Sequence, residues 1–153
     1  MRLHRITAEV YGKTASQAFS GQGGLFGMGR WHSGGRPIVY SSQHESLAAL
    51  ETLVHLQRSE CIQPFVRWEI EVPDHLIAGC GTLPDDWKTN PAATRACGDA
   101  WLAGRKSPAM RVPSVNVETE FNFLLNPIHP DFKLGWVVAG PIAFAFDLRL
   151  GMR

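Results

Sequence analysis

The sequence predicts an α+β fold in one domain spanning residues 1–153. Three observations carry that expectation. Between Pro64 and Pro73, Val66, Trp68, Ile70 and Val72 alternate with Arg67, Glu69 and Glu71, the period of a half-buried antiparallel strand. Two stretches, after Ser42 and after Asn90, instead carry apolar residues at helical spacing. Read along the chain, the order is strand, strand, helix, strand, helix and then several strands, which suits helices packed on a mainly antiparallel sheet.

In chain order, residues 2–7 (RLHRIT) read as a short first strand, with Arg5 on it as either a surface arginine at a sheet edge or an anion-binding group. Residues 12–36 form a glycine-rich loop. Loops longer than ~12–15 residues in compact domains are usually functional or disordered, and Leu25, Phe26, Met28 and Trp31 argue against disorder here. Neither GxGxxG (Phe26 stands where the third glycine would be needed) nor GK[ST] occurs, which excludes a Rossmann fingerprint and a P-loop. PIVYS at 37–41 is a second strand. Ser42-Gln43-His44-Glu45 then matches a capping box that starts a helix with Leu47, Leu50 and Val54 toward the core. On that helix Glu51 shares a face with Leu47, Ala48, Val54 and His55, and is either a solvated residue beside the apolar stripe or a carboxylate in a cleft wall. Asn90 and Pro91 open a second helix that buries Ala93, Ala96, Cys97, Ala100 and Trp101, pairs Arg95 with Asp99 and ends at Gly104. Three further strands follow, in PAMRVPSV, LGWVVAG and IAFAFDL, with ETEFNFLLNPIHPDF among them; Ser114 lies at a strand end, where serine is ordinarily a turn residue.

Composition narrows the function. Net charge is +1, so bulk electrostatics call for neither a nucleic-acid nor a membrane-surface partner. No run approaches the ~20 apolar residues of a membrane helix, and Arg2, His4 and Arg5 break up any leader-like N-terminus. Cys61, Cys80 and Cys97 are an odd set without CxxC spacing and read as free thiols in the cytoplasm. Metal chemistry is not expected: HExxH would need a histidine at position 48, where Ala48 stands, and the other histidines are scattered. The absence of GxSxG argues against a serine hydrolase. Charge is unevenly distributed, however. From Glu9 to Glu45 there is no intervening carboxylate, while Lys13, Arg30, Arg36 and eight of the 15 glycines fall inside. Arginine suits phosphates because its planar fork donates two bonds at once. Together with Tyr40 and Glu51, it makes an inventory that suits an anionic, ring-bearing nucleotide.

The ordered set Arg30 in GRWHSGG, Glu51 in LAALETLVH and Ser114 in MRVPSV resembles the arginine, glutamate and serine that name the RES-domain toxins of bacterial toxin–antitoxin systems. RIT at 5–7, VYSS at 39–42, GDAWL at 98–102 and NFLLNPIHPDF at 122–132 extend the likeness from about Arg5 to Arg149. The resemblance implies a mono-ADP-ribosyltransferase-like fold, with two antiparallel sheets around an NAD cleft. It implies cleavage of the N-glycosidic bond of NAD by attack of water or phosphate, as an NAD glycohydrolase or NAD phosphorylase, with NAD as substrate and no separate cofactor. Carried over residue by residue, Glu51 is the catalytic carboxylate, Arg5 and Arg30 hold the pyrophosphate, Tyr40 stacks on the nicotinamide or its ribose, and Ser114 positions the substrate. His32 departs from the asparagine that many members carry after GRW. A cognate antitoxin with a helix-turn-helix DNA-binding domain is implied as partner, and Leu25, Phe26 and Trp136 leave open a homodimer. Two rival functions share the inventory: a protein ADP-ribosyltransferase, for which Glu118-Thr119-Glu120 has E-x-E spacing but lies off the Glu51 helix, and a non-catalytic nucleotide-binding module.

Overall fold

A computed structural model describes residues 1–56, 60 and 63–151. Its strands are β1 (Arg2–Ala8), β2 (Val39–Ser42), β3 (Phe65–Glu71), β4 (Ile77–Gly79), β5 (Ala109–Pro113), β6 (Phe121–Leu125) and β7 (Val137–Phe144). Its helices are α1 (Ala15–Ala18), α2 (Gly23–Phe26), α3 (Glu45–Leu53) and α4 (Pro91–Gly104). The fold is α+β, as expected. The resemblance implied two sheets, whereas hydrogen bonding links all seven strands into one, in the order β4-β5-β6-β2-β1-β3-β7. Every neighbouring pair is antiparallel except β4 with β5.

The joint in the middle of this sheet positions the site. β1 pairs with β3 along its whole length, from Arg2↔Glu71 to Ala8↔Phe65, and β2 pairs with β6 from Val39↔Leu125 to Ser42↔Asn122. β1 and β2 share one pair only, His4↔Ser42. One residue further along β1, a side chain replaces the backbone ladder: Arg5 Nη1 donates to the Tyr40 carbonyl at 2.8 Å, and its Nε donates to the Ala18 carbonyl at 2.8 Å. The sheet therefore consists of two well-paired halves stitched at one point. β1 is an interior strand, so the edge position considered for Arg5 is overturned by the long-range pairing with β3.

The alternation in β3 holds: Val66, Trp68, Ile70 and Val72 are buried and pack with Leu3, Phe19, Val39, Phe123 and Leu125. A second cluster, Trp31, Ile38, Leu102, Met110, Val112 and Leu124, lies on the α4 side, and a third, Ile6, Ala48, Phe65 and Phe146, lies under α3. The expected strands LGWVVAG and IAFAFDL merge into β7, with Leu134–Trp136 as a 3-10 turn before it. Trp136 packs on the core against Phe132, while Leu25 and Phe26 are exposed.

Local expectations for both helices needed correction. Ser42 does not cap α3. It ends β2, its hydroxyl donates to Asn122 Oδ1 at 2.6 Å, and Gln43 N–H extends the ladder to the Phe121 carbonyl, so α3 starts at Glu45 with His44 as its N-cap. Val54 follows the last residue of α3 and is exposed. α4 starts as expected, with Asn90 accepting from Ala93 N–H and Pro91 in the first turn. Its buried stripe is Thr94, Gly98 and Leu102, while Ala96 and Ala100 face solvent. That stripe exists because α4 packs on backbone: a Cβ on Gly98 would lie 1.7 Å from the Trp31 carbonyl oxygen. Arg95 and Asp99 do not pair with each other. Arg95 Nε donates to the Gly29 carbonyl at 3.0 Å, and Asp99 accepts from Ser33 N–H and Oγ–H. With Thr94 Oγ1 donating to the Arg30 carbonyl at 2.7 Å, α4 clamps residues 29–33 of the glycine-rich loop. Asp99 thereby brings a carboxylate to a loop that has none in its own sequence.

Candidate active site

A cleft of about 660 Å³ opens where β1 and β2 part, and Arg5, Arg30, Tyr40 and Glu51 all line it. Residues from β1, β2, α3, the glycine-rich loop and the β5–β6 connection thus meet in one place. Ser114 lies beneath the wall and is 0% exposed, between Pro113 and Val115, which do line the cleft.

Glu51 is held by three neutral donors. Oε1 accepts from Ser114 Oγ at 2.7 Å and Asn122 Nδ2 at 2.6 Å, and Oε2 accepts from Asn116 Nδ2 at 2.8 Å. Two of these donors are themselves fixed. Ser114 Oγ accepts from the Asn116 and Val117 N–H groups, both at 3.1 Å, so its proton is left to point at Glu51. Asn122 Oδ1 accepts from Ser42, which commits its amide nitrogen to the carboxylate. No cation within ion-pair distance neutralises Glu51 among the described residues. A fixed, half-buried carboxylate supported by dipoles is well suited to stabilising positive charge that develops during a reaction. Ser114 therefore works through Glu51, because a fully buried hydroxyl with three partners has no face left for a substrate.

The opposite wall is cationic and aromatic. Burial away from water pulls the Arg5 guanidinium down to about 10, so it remains charged at neutral pH. Its Nη2 makes no hydrogen bond among the described residues. Arg30 is half-buried and spends one nitrogen on the Lys88 carbonyl at 3.1 Å. Tyr40 Oη lies 2.9 Å from His32 Nδ1 and 3.3 Å from Trp31 N. Burial raises the Tyr40 phenol above its ordinary range and lowers the His32 imidazole below its own. The turn around them is tight enough to require glycine at 29, where a Cβ would lie 2.6 Å from Tyr40 Oη.

Sequence reasoning found the four cleft residues and Ser114, but missed Asn116, Asn122 and the clamp from α4. A Ser-x-Asn at 114–116 following a strand is a local signal for a hydroxyl-centred turn; Asn122, inside the apolar run FNFLL, offered none beyond being polar there.

Comparison with known proteins places the chain in a family. Residues 2–147 match the family described as RES domain. The chain is 38% identical over 156 residues to "Toxin Res" of Yersinia enterocolitica, covering 98% of this chain and 99% of that protein. It is 36% identical over 154 residues to "Toxin Res" of Photorhabdus laumondii, covering 98% and 97%. Over 123 residues it is 40% identical to the "Prs ADP-ribosylating toxin" of a Sphingobium species, covering 74% and 75%. With the match spanning nearly the whole chain and the arginine, glutamate and serine gathered around one cleft, this chain belongs to the RES-domain family.

Proposed function

We propose that this chain is the toxin of a toxin–antitoxin pair and cleaves the N-glycosidic bond of NAD. The observation that carries the reading is the Glu51 carboxylate, fixed by Ser114, Asn116 and Asn122 in the wall of a cleft whose other groups include two arginines and a tyrosine. In the reaction the bond between the ribose anomeric carbon and the nicotinamide nitrogen breaks. Its electron pair neutralises the pyridinium, and positive charge moves onto the ribose as an oxocarbenium ion. Glu51 stabilises that charge and grips a ribose hydroxyl, an effect strengthened in a water-poor cleft. Arg5 and Arg30 supply charge for the pyrophosphate, and the Tyr40 ring offers a flat stacking face with little side-chain freedom to lose. Water completes the reaction by bonding to the anomeric carbon and releasing a proton, giving nicotinamide and ADP-ribose. The fold needs no Rossmann fingerprint for this, because the phosphates would be met by side chains and not by a helix N-terminus.

A second reading keeps the same first step and passes ADP-ribose to a protein. It is favoured by the likeness to a relative named as ADP-ribosylating. In either case such a toxin requires an external restraint. We assign that role to an antitoxin that covers the glycine-rich loop from Gly12 to Gly35, whose own sequence carries Lys13 and Arg30 and no carboxylate.

Expression of the wild-type chain without an antitoxin in a bacterial host is the test. Growth arrest with a fall in cellular NAD is expected, and the Glu51→Gln form should do neither. Free growth with normal NAD at equal protein levels would refute the toxin reading.

A further inference from the structure

His32 is buried, 5% exposed, and both ring nitrogens are engaged. Nε2 lies 2.9 Å from the Gly27 carbonyl, an acceptor only, so Nε2 carries the ring proton. Nδ1 of the neutral ring is then bare and accepts the proton of Tyr40 Oη, 2.9 Å away. Trp31 N–H donates to the same oxygen. The phenolic proton is thus committed to His32, so Tyr40 has no donor left for the cleft and offers its ring.

We propose that His32 is the positioning residue for Tyr40: as a neutral Nε2–H imidazole it ties the phenol to the Gly27–Ser33 turn and makes Tyr40 a stacking wall with no hydroxyl proton to donate. The proposal rests on the NAD reading above for its effect on turnover, but not for the link itself. His32 touches no cleft surface, so it acts through the groups it holds, Tyr40 and the turn that carries Arg30.

The link is sensitive to acid. A proton on Nδ1 would face the phenolic proton, and Tyr40 would have to turn that proton elsewhere and become a double acceptor. The charged groups around the imidazole are Asp99, which favours its cation, and Arg95, which opposes it, both on α4. Burial opposes the cation most strongly. Function is therefore complete at neutral pH and lost as pH falls through a His32 value below the ordinary ~6.5.

Two substitutions separate the two ring nitrogens. His32→Asn places an amide oxygen near the Nδ1 position and keeps the acceptor for Tyr40, but cannot reach Gly27. His32→Gln reaches Gly27 and loses the acceptor. Nicotinamide release is measured from pH 5 to 8 for wild type and both variants. His32→Asn is expected to stay close to wild type at pH 8 and to lose the wild-type acid limb. His32→Gln is expected to lose about tenfold in kcat/KM, less than the ~10²-fold that a 1 Å misplacement can cost. A variant order reversed at pH 8, or an acid limb retained by His32→Asn, would overturn the proposal. In parallel, ¹⁵N NMR of the imidazole reads the link without NAD. A neutral Nε2–H tautomer with an Nδ1 resonance that shifts in Tyr40→Phe supports it; an Nδ1–H tautomer, or no shift, overturns it. If the wild type releases no nicotinamide, the NAD reading fails while the NMR result still decides the His32–Tyr40 link.

Discussion

Glu51→Gln is expected to lower nicotinamide release by at least ~10²-fold, the scale of removing one electrostatic stabiliser from a preorganised site. The environment makes this a test of charge and not of folding. Oε1 faces two buried donors, Ser114 and Asn122, and glutamine can leave its amide oxygen there. The amide nitrogen then takes the Oε2 position, opposite Asn116, which is exposed and can turn toward water. One hydrogen bond is lost, a cost of about 0.5–1.5 kcal/mol, against loss of the entire negative charge next to the developing oxocarbenium. Steady-state kinetics beside a thermal melt separate the two effects. Near wild-type turnover in a folded Glu51→Gln protein would remove Glu51 from the chemistry.

Gly98→Ala is expected to have the largest effect on stability. Its methyl group would sit 1.7 Å from the Trp31 carbonyl oxygen and 2.8 Å from the carbonyl carbon, and neither is a flexible side-chain end that can swing away. α4 must move off the loop as a body. Overpacking of this kind costs about 1–3 kcal/mol, occasionally more, and the shift also weakens the bonds from Thr94, Arg95 and Asp99 to the turn that carries Arg30. For a domain of this size, Tm falls ~2–4 °C per kcal/mol, so a drop of about 2–12 °C is expected by calorimetry, together with weaker NAD binding. Gly104→Ala is the control, since its nearest neighbour would be Lys106 Cγ at 4.0 Å. Equal Tm values for the two variants would show that α4 does not clamp the loop.

What was legible in the sequence is what local chemistry decides alone. β3 alternates because one face is buried, and α4 starts where Asn90 can cap and Pro91 needs no donor. β6 was not legible, because Phe123, Leu124 and Leu125 are all buried and a run apolar on both faces shows no period. β4, three residues long, carries too little pattern to read. Where a local motif and a distant partner competed, the distant partner won. The capping box at Ser42 yielded to Asn122, and the Arg95–Asp99 pair yielded to Gly29 and Ser33. The site divides in the same way. Arg30, Tyr40 and Glu51 stand close in sequence and could be read as a set. The groups that fix Glu51 arrive 63 to 71 residues later, at Ser114, Asn116 and Asn122, and only the pairing of β2 with β6 and of β5 with β6 brings them under the carboxylate. Cys80 and Cys97 are free thiols, as expected, and Cys61 lies outside the described residues.

The central claim is that this cleft breaks the nicotinamide–ribose bond. Purified wild-type protein, incubated with NAD labelled in the nicotinamide ring, tests it most directly, with free nicotinamide measured over time in the presence and absence of a bacterial lysate as a source of protein acceptors. Multiple turnovers with water as the only acceptor are expected, with free ADP-ribose appearing in equal amount. Release that depends on the lysate, with ADP-ribose retained on protein, would move the chain to the ADP-ribosyltransferase reading. No release under either condition, from folded protein that still binds NAD, would contradict the account and leave a nucleotide-binding module in its place.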